Sequence, residues 1–321
     1  MSFPSTYRWW PVGDLRGRAL WAYLIVCVVW GSTYIGIRVG VRHLPPFLFA
    51  GVRFLIAGAI LAGAARLWGE TLPRRRQDWL TLAITGTLFL ASGNGLVVWA
   101  EQYLDAGTAS IYVVTVAIWA ACFDALMPGG KTRLTWGIAG GLVLGLAGMV
   151  LLTGTTPAAL LHSDLRGPVA LLIGSASWAF GTVYLKRHPV DAGFSMAAAV
   201  QMLAGGAVVA LVGLLQGETS AWHLTAPGAG ALGYLIVFGS IVGFTAYGYA
   251  LHHASATVVG TYAYVNPVVA VLLGWALLHE ELSARKLVAM AIILAAVIWI
   301  QRSVAPARAA VPALPGEAVE A

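Results

Sequence analysis

The chain has 321 residues, 59% of them apolar and only 10% charged, with a formal net charge of +6; ordinary globular domains carry roughly 25% charged residues. So few charges cannot cover the core of a soluble protein of this size, which excludes a soluble enzyme, a nucleic-acid binder and a disordered chain. Cys27 and Cys122 sit alone in apolar runs, so neither a disulfide framework nor a metal site is indicated, and no cofactor is expected.

A helix needs about 20 mostly apolar residues to cross a bilayer. By that ruler the sequence predicts an all-α integral membrane protein with ten transmembrane helices. After a segment at 1–19, five runs lie near 20–39, 47–65, 79–100, 107–127 and 134–153. A linker at 154–166 follows, then five more runs near 167–185, 194–215, 228–251, 254–278 and 284–300, and a polar, Pro- and Ala-rich tail at 302–321 expected to be disordered. The two repeats are therefore placed at 20–153 and 167–301. The first run is full-length and reads as a permanent span rather than a secretory signal.

With the N-terminus placed inside, 13 basic residues fall on the inner side, among them Arg74, Arg75, Arg76, Lys186 and Arg187, and five on the outer side. The positive-inside rule then puts both termini in the cytoplasm.

Shifting the sequence by 148 positions lays Trp30 on Trp178, Arg38 on Lys186, Val52 on Val200, Leu55 on Leu203 and Gly58 on Gly206. Each half holds five predicted spans, and an odd number makes the second copy enter from the opposite face. The expected architecture is a pair of five-helix inverted repeats, the plan by which many secondary transporters expose one central site to either side.

Trp30-Gly31-Ser32-Thr33-Tyr34, Gly51-Val52-Arg53-Phe54, Gly93-Asn94-Gly95, Trp99-Ala100-Glu101, Trp178-Ala179-Phe180-Gly181 and Tyr262-Ala263-Tyr264-Val265-Asn266-Pro267 come in an order and spacing that resembles the EamA family of the drug/metabolite transporter superfamily, and within it the YedA-like inner-membrane permeases. The resemblance implies a bacterial inner-membrane protein with a central cavity, exporting or exchanging small metabolites such as amino acids or amphipathic drugs. One departure is Ala117 after Thr115-Val116, where such proteins usually carry proline; the ninth run keeps Pro267. Unequal bending of the two halves is the expectation.

Trp30, Trp99, Trp178, Tyr247, Tyr264 and Asn266 are expected around the cavity, because aromatic walls with a few polar groups suit a small amphipathic substrate. Asn94 is placed with them, and Ser32, Thr33 and Thr182 along the same path, although such hydroxyls also bond back to their own helix. Arg53 lies inside the second span, where a charge costs about 2.5 to 3.5 kcal/mol on insertion scales, so it reads as a substrate or gate group, or as the partner of Glu101 or Asp105. Glu101 is the candidate for proton coupling or for an outer gate with Arg53. Lys186 and Gln201 are expected at an inner gate, and Pro267 at a bend in the ninth span. Gly137, Gly141 and Gly145 recur every four residues, compatible with internal packing or a homodimer seam. No nucleotide-binding loop, His-Glu-x-x-His motif or paired intramembrane aspartates occur, so an intramembrane enzyme or a non-transporting scaffold is the weaker alternative to a transporter of the lipid bilayer.

Overall fold

The structure is a computed structural model that describes residues 15–104, 106–127, 135–154, 164–278 and 281–303. Most of the N-terminal segment, the middle of the 154–166 linker and nearly all of the tail lie outside the described residues. Among those described the chain is helical throughout, without strands.

The helices are α1 (Arg18–Val41), α2 (Pro46–Leu67), α3 (Arg76–Ala100), α4 (Ala106–Leu126), α5 (Trp136–Thr153), α6 (Arg166–Arg187), α7 (Phe194–Leu215), α8 (Ala226–His253), α9 (Ala256–Gly260 and Tyr262–Leu278) and α10 (Ala284–Ser303). Nine helices among the described residues are long and apolar enough to cross a membrane; in α4 the qualifying stretch is the shorter Tyr112–Leu126. Helices are the natural outcome of such runs, because a lipid-facing backbone must satisfy its N–H and C=O groups within its own segment. Their starts carry local signals: Pro at the first turn of α2, and side-chain caps from Thr135, Thr225 and Ser255 on α5, α8 and α9. Large apolar side chains such as Trp21, Trp136 and Leu211 face outward, which suits lipid rather than water.

Three findings go beyond the predicted spans. First, α3 and α8 each widen into a π-helical stretch, Thr87–Asn94 and Leu235–Val242, 148 positions apart. Secondly, α9 is interrupted at Thr261 and runs on without a break through Pro267, whereas α4 is continuous past Ala117. Thirdly, α2 packs along α7, α5 along α10, α4 on α6 and α1 on α9. Exchanging the two halves maps the first two pairs onto themselves and interchanges the last two.

The glycines of α5 lie under α10 in the same chain. A side-chain carbon on Gly141 would stand 2.6 Å from Ile300 and one on Gly148 2.8 Å from Ile293, while at Gly145 it would meet Tyr264 of α9. The stripe therefore serves packing within the chain.

Glu70 and Glu218, which the sequence reading passed over, tie α2 to α7. Glu218 accepts from the backbone N–H of Leu48 at 2.7 Å and of Phe47 at 3.2 Å, at the start of α2. Glu70 accepts from the N–H of Met196 at 2.8 Å, at the start of α7. Glu70 and Glu218 are 148 residues apart, and so are Leu48 and Met196. Each carboxylate thus satisfies orphan donors at the positive end of the other half's helix.

Candidate functional site

The centre of the bundle is a layer of aromatic rings. Trp30 on α1 meets Trp178 on α6 edge to face at 5.4 Å, so the two tryptophans that the 148-residue shift superposes touch one another. Tyr247 on α8 lies 5.2 Å from Trp30 and 5.6 Å from Trp178, and Tyr262 on α9 lies 5.0 Å from Trp30. Phe89 on α3 packs 4.9 Å from Trp178. Buried indole and phenol groups need polar partners, and they have them: Trp30 Nε1 donates to the Gly239 carbonyl at 3.0 Å, Trp178 Nε1 donates to Tyr247 Oη at 3.2 Å, and Thr182 Oγ1 bonds Tyr247 Oη at 2.5 Å. Gly239 lies in the π stretch of α8. Close approach requires glycine nearby: a side-chain carbon on Gly93 would sit 2.8 Å from the Trp178 ring, and one on Gly243 would collide with Trp30.

This layer separates two spaces. On one side is a cavity of about 80 Å³ whose walls include Trp30, Thr33, Tyr34, Arg53, Asn94, Ser240, Tyr262 and Asn266. On the other is a vestibule of about 460 Å³ bordered by Arg75, Lys186, Asp191, Gln201, Tyr247 and His252. Phe244 borders both.

Arg53 is 3% exposed. Its Nε donates to Ser240 Oγ at 2.8 Å, and its Nη1 is buried with no hydrogen-bond partner. The expected pairing with Glu101 is not made, since both Glu101 carboxylate oxygens are also buried without a partner; Asp105 lies outside the described residues. At the repeat-related position, Gln201 Nε2 donates to Thr85 Oγ1 at 2.7 Å. The two halves thus make matching polar links, α2 to α8 and α7 to α3, but only the first carries a charge. Asn94 Oδ1 is a second buried group in the cavity wall without a partner. Turned to satisfy both neighbours, the Asn266 amide donates to the carbonyls of Cys27 and Tyr262 at 3.1 Å.

Glu101 is the first residue past α3 and borders neither cavity. Burial pushes its carboxyl up to about 8, with the Arg38 guanidinium opposing the shift.

The remaining expected residues divide by place. Trp30, Thr33, Asn94, Trp178 and Asn266 border the small cavity, Tyr247 borders the vestibule, and Thr182 supports Tyr247. Lys186 borders the vestibule and donates to the carbonyls of Leu251 at 2.6 Å and Ala254 at 2.5 Å, closing the end of α8. Ser32, Trp99 and Tyr264 stand away from both spaces. Ser32 bonds the Tyr234 hydroxyl at 2.5 Å, Trp99 packs on Tyr103 at 4.8 Å, and Tyr264 donates to the Leu142 carbonyl at 3.1 Å within the α5–α10 packing. Pro267 is buried in α9 outside the cavity walls. Tyr34, Ser240, Tyr262 and Phe89 were not singled out from the sequence; the signal for Tyr262 was its place in the same segment as Tyr264 and Asn266. No group of three His, Cys, Asp or Glu among the described residues is arranged to hold a metal ion.

Residues 17–154 and 165–302 each match the EamA-like transporter family. The chain is 42% identical over 281 residues to the uncharacterised inner membrane transporter YedA of Escherichia coli (strain K12), covering 87% of this chain and 89% of that one. It is 28% identical over 292 residues to a probable terminal-alkyne amino-acid exporter of Streptantibioticus cattleyicolor, covering 89% and 94%. A crystal structure of a protein 21% identical in sequence superposes with a TM-score of 0.71, over 88% of this chain and 95% of that one, and so shares the fold.

Proposed function

Because the chain belongs to the EamA-like transporter family and is a membrane transporter of small metabolites, we propose that it is a secondary exporter or exchanger working by alternating access between two inverted repeats of five helices, residues 20–153 and 167–301. The observation that carries this reading is the aromatic layer between a small cavity and a larger vestibule. Trp30 and Trp178 meet at its centre, one from each repeat, where two related halves would share a substrate site. The paired π stretches, the reciprocal caps of Glu70 and Glu218, and the exchange-symmetric packing support the inverted relation.

In this reading ten helices cross a bacterial inner membrane with both termini in the cytoplasm, and the vestibule beside Arg75 and Lys186 opens inward. Trp30, Trp178, Tyr247, Asn94 and Asn266 contact the substrate. Glu101 sits near the outer end and Lys186 and Gln201 at the inner one. Amino acids and amphipathic drugs both fit a cavity of aromatic and polar walls.

The orientation is tested with Ala197→Cys, a vestibule position, in a chain whose two native cysteines are replaced. A membrane-impermeant maleimide is expected to label it from the cytoplasmic side; labelling only from the outside would refute the inward-facing arrangement. Proton coupling through Glu101 makes a further prediction. The folded carboxyl holds its proton up to about pH 8, while the ordinary value is 4.5, so the folded state binds more protons between those limits. Stability is therefore expected to fall as pH rises from about 5 to about 8, and Glu101→Gln to flatten that slope. In proteoliposomes the same substitution is expected to abolish the response of flux to an imposed pH gradient, while counterflow at equal pH continues.

A further inference from the structure

Away from the central spaces, a groove of about 470 Å³ runs between α1, α2 and α8 and shares no wall residue with the cavity or the vestibule. Trp21 and Ile25 of α1, Leu61, Trp68 just past α2, and Val242 and Tyr249 of α8 form its walls, with Arg18 at its end. Trp21, Trp68 and Val242 are exposed, as lipid-facing side chains are. The lined stretches cover seven or eight positions of each helix, about 10 to 12 Å at 1.5 Å per residue. The groove opens where α8 changes neighbours: its π stretch packs on both α1 and α2, and the turns that follow keep to α1. Arg18 opens α1, Trp68 follows α2 and Tyr249 lies near the end of α8, so a cation and two aromatic rings share one mouth. Amphipathic rings of this kind sit at headgroup level in a bilayer.

The other half of the chain lacks this set. The positions related by 148 residues to Arg18, Trp21, Trp68 and Tyr249 hold Arg166, Val169, Gln216 and Glu101. Arg166 is neutralised by Asp164 at 2.5 Å, and the position related to Asp164 is Arg16. Where one half carries an acid and a base, the other therefore carries two bases. Among the described residues no carboxylate pairs with Arg18.

Inside the groove, Thr245 Oγ1 is buried without a hydrogen-bond partner, one helical turn inward of Tyr249. A hydroxyl left so is costly, and the ester carbonyl that lies just beneath a lipid phosphate is an acceptor at the matching depth. Acyl chains fill any such groove, but they gain little by leaving bulk lipid, because both surroundings are apolar. Retention of one lipid must come from its head, and a guanidinium is a forked donor matched to phosphate. A zwitterionic head brings its own cation to that phosphate, which two arginines disfavour.

We propose that the groove holds one anionic glycerophospholipid, with its phosphate on Arg18, an ester carbonyl on Thr245 and an acyl chain along α1, α2 and α8. The site is separate from the transport path and requires only that these helices lie in a bilayer.

Purified full-length protein in detergent is examined by native mass spectrometry with equal amounts of phosphatidylglycerol and phosphatidylcholine of identical chains. The wild type is expected to retain one phosphatidylglycerol in preference to phosphatidylcholine. Arg18→Gln is expected to lower that preference about fivefold, the effect of one basic residue near an anionic surface, and Arg166→Gln, whose charge is already paired, to leave it unchanged. Thr245→Val should weaken retention of both lipids, and Ala246→Trp, which fills the groove, should abolish it. Glycerol 3-phosphate, a head without chains, is expected not to compete. Equal retention of the two lipids by the wild type, an unchanged preference in Arg18→Gln, or the same loss in Arg166→Gln would overturn the proposal. Competition by glycerol 3-phosphate would reduce the site to a surface anion site and overturn the role of the groove. Disulfide-linked pairs formed in membranes by Trp21→Cys, in a chain whose native cysteines are replaced, would assign the groove to a second copy and overturn it as well. The wild-type lipid series and the exposed Arg18→Gln variant decide the matter even where Ala246→Trp does not fold.

Discussion

Trp30→Ala and Trp178→Ala are each expected to lower counterflow by at least about tenfold and to lower thermal stability, whereas Trp99→Ala leaves flux close to wild type. The first two rings form the contact between the halves, each against several others, and aromatic pairs contribute about 0.5 to 1.5 kcal/mol apiece beyond area burial. Truncating a buried tryptophan such as Trp178 costs about 3 to 5 kcal/mol in folding, the half-buried Trp30 less, and a loss of only 1.4 kcal/mol in binding corresponds to a factor of ten. Trp178→Phe separates shape from polarity: it keeps a ring in the layer but removes the 3.2 Å bond to Tyr247, a net contribution of about 1 kcal/mol, so flux should fall several-fold rather than vanish. Trp99 packs on Tyr103 away from both spaces. A flux loss at Trp99 equal to that at Trp30 would remove the aromatic layer from its proposed place on the substrate path.

The second large effect is expected from the two glutamates. Glu70→Ala leaves one donor and Glu218→Ala two at a helix start without their acceptor, and the loss of such a cap costs about 0.5 to 2 kcal/mol. In a protein of this size each should lower the apparent unfolding midpoint by a few degrees. The two sites share no partners, so the double variant should show the sum. The caps and the close α2–α7 packing, where a side-chain carbon on Gly58 would stand 3.0 Å from Leu203 and one on Gly206 2.9 Å from Phe54, make these two helices one stave tied at both ends. In the proposed alternating-access cycle the other helices then move about this pair. A disulfide across α2 and α7 should consequently leave counterflow intact, and its abolition would show that the two slide past one another.

Much of the site was accessible from sequence, and unevenly. Arg53 stood out as a charge inside an apolar run, but its partner did not: carboxylates near the ends of α3 were the plausible choices, and the structure chose Ser240, 187 residues away. Of the tryptophans, Trp30 and Trp178 were marked by the repeat and reach the centre. Trp99 carried the same composition signal without the same position. Tyr264 and Tyr262 share one segment of α9, yet two positions along a helix are about 200° apart around its axis, which sends Tyr264 into the α5–α10 packing and Tyr262 to the cavity.

Apolar run length, the 148-residue repeat and the placement of basic residues are properties of short windows or of self-comparison, so the sequence alone was enough to determine a helical membrane protein built twice over. The π stretches, the Glu70 and Glu218 caps, the Trp30–Trp178 contact and the free polar atoms of Arg53 and Asn94 were decided only by tertiary structure. Each depends on which face of a helix meets which neighbour across the two halves. In a bilayer nearly every residue of a span is apolar, so the hydrophobic pattern that would reveal that face in a water-soluble helix is absent.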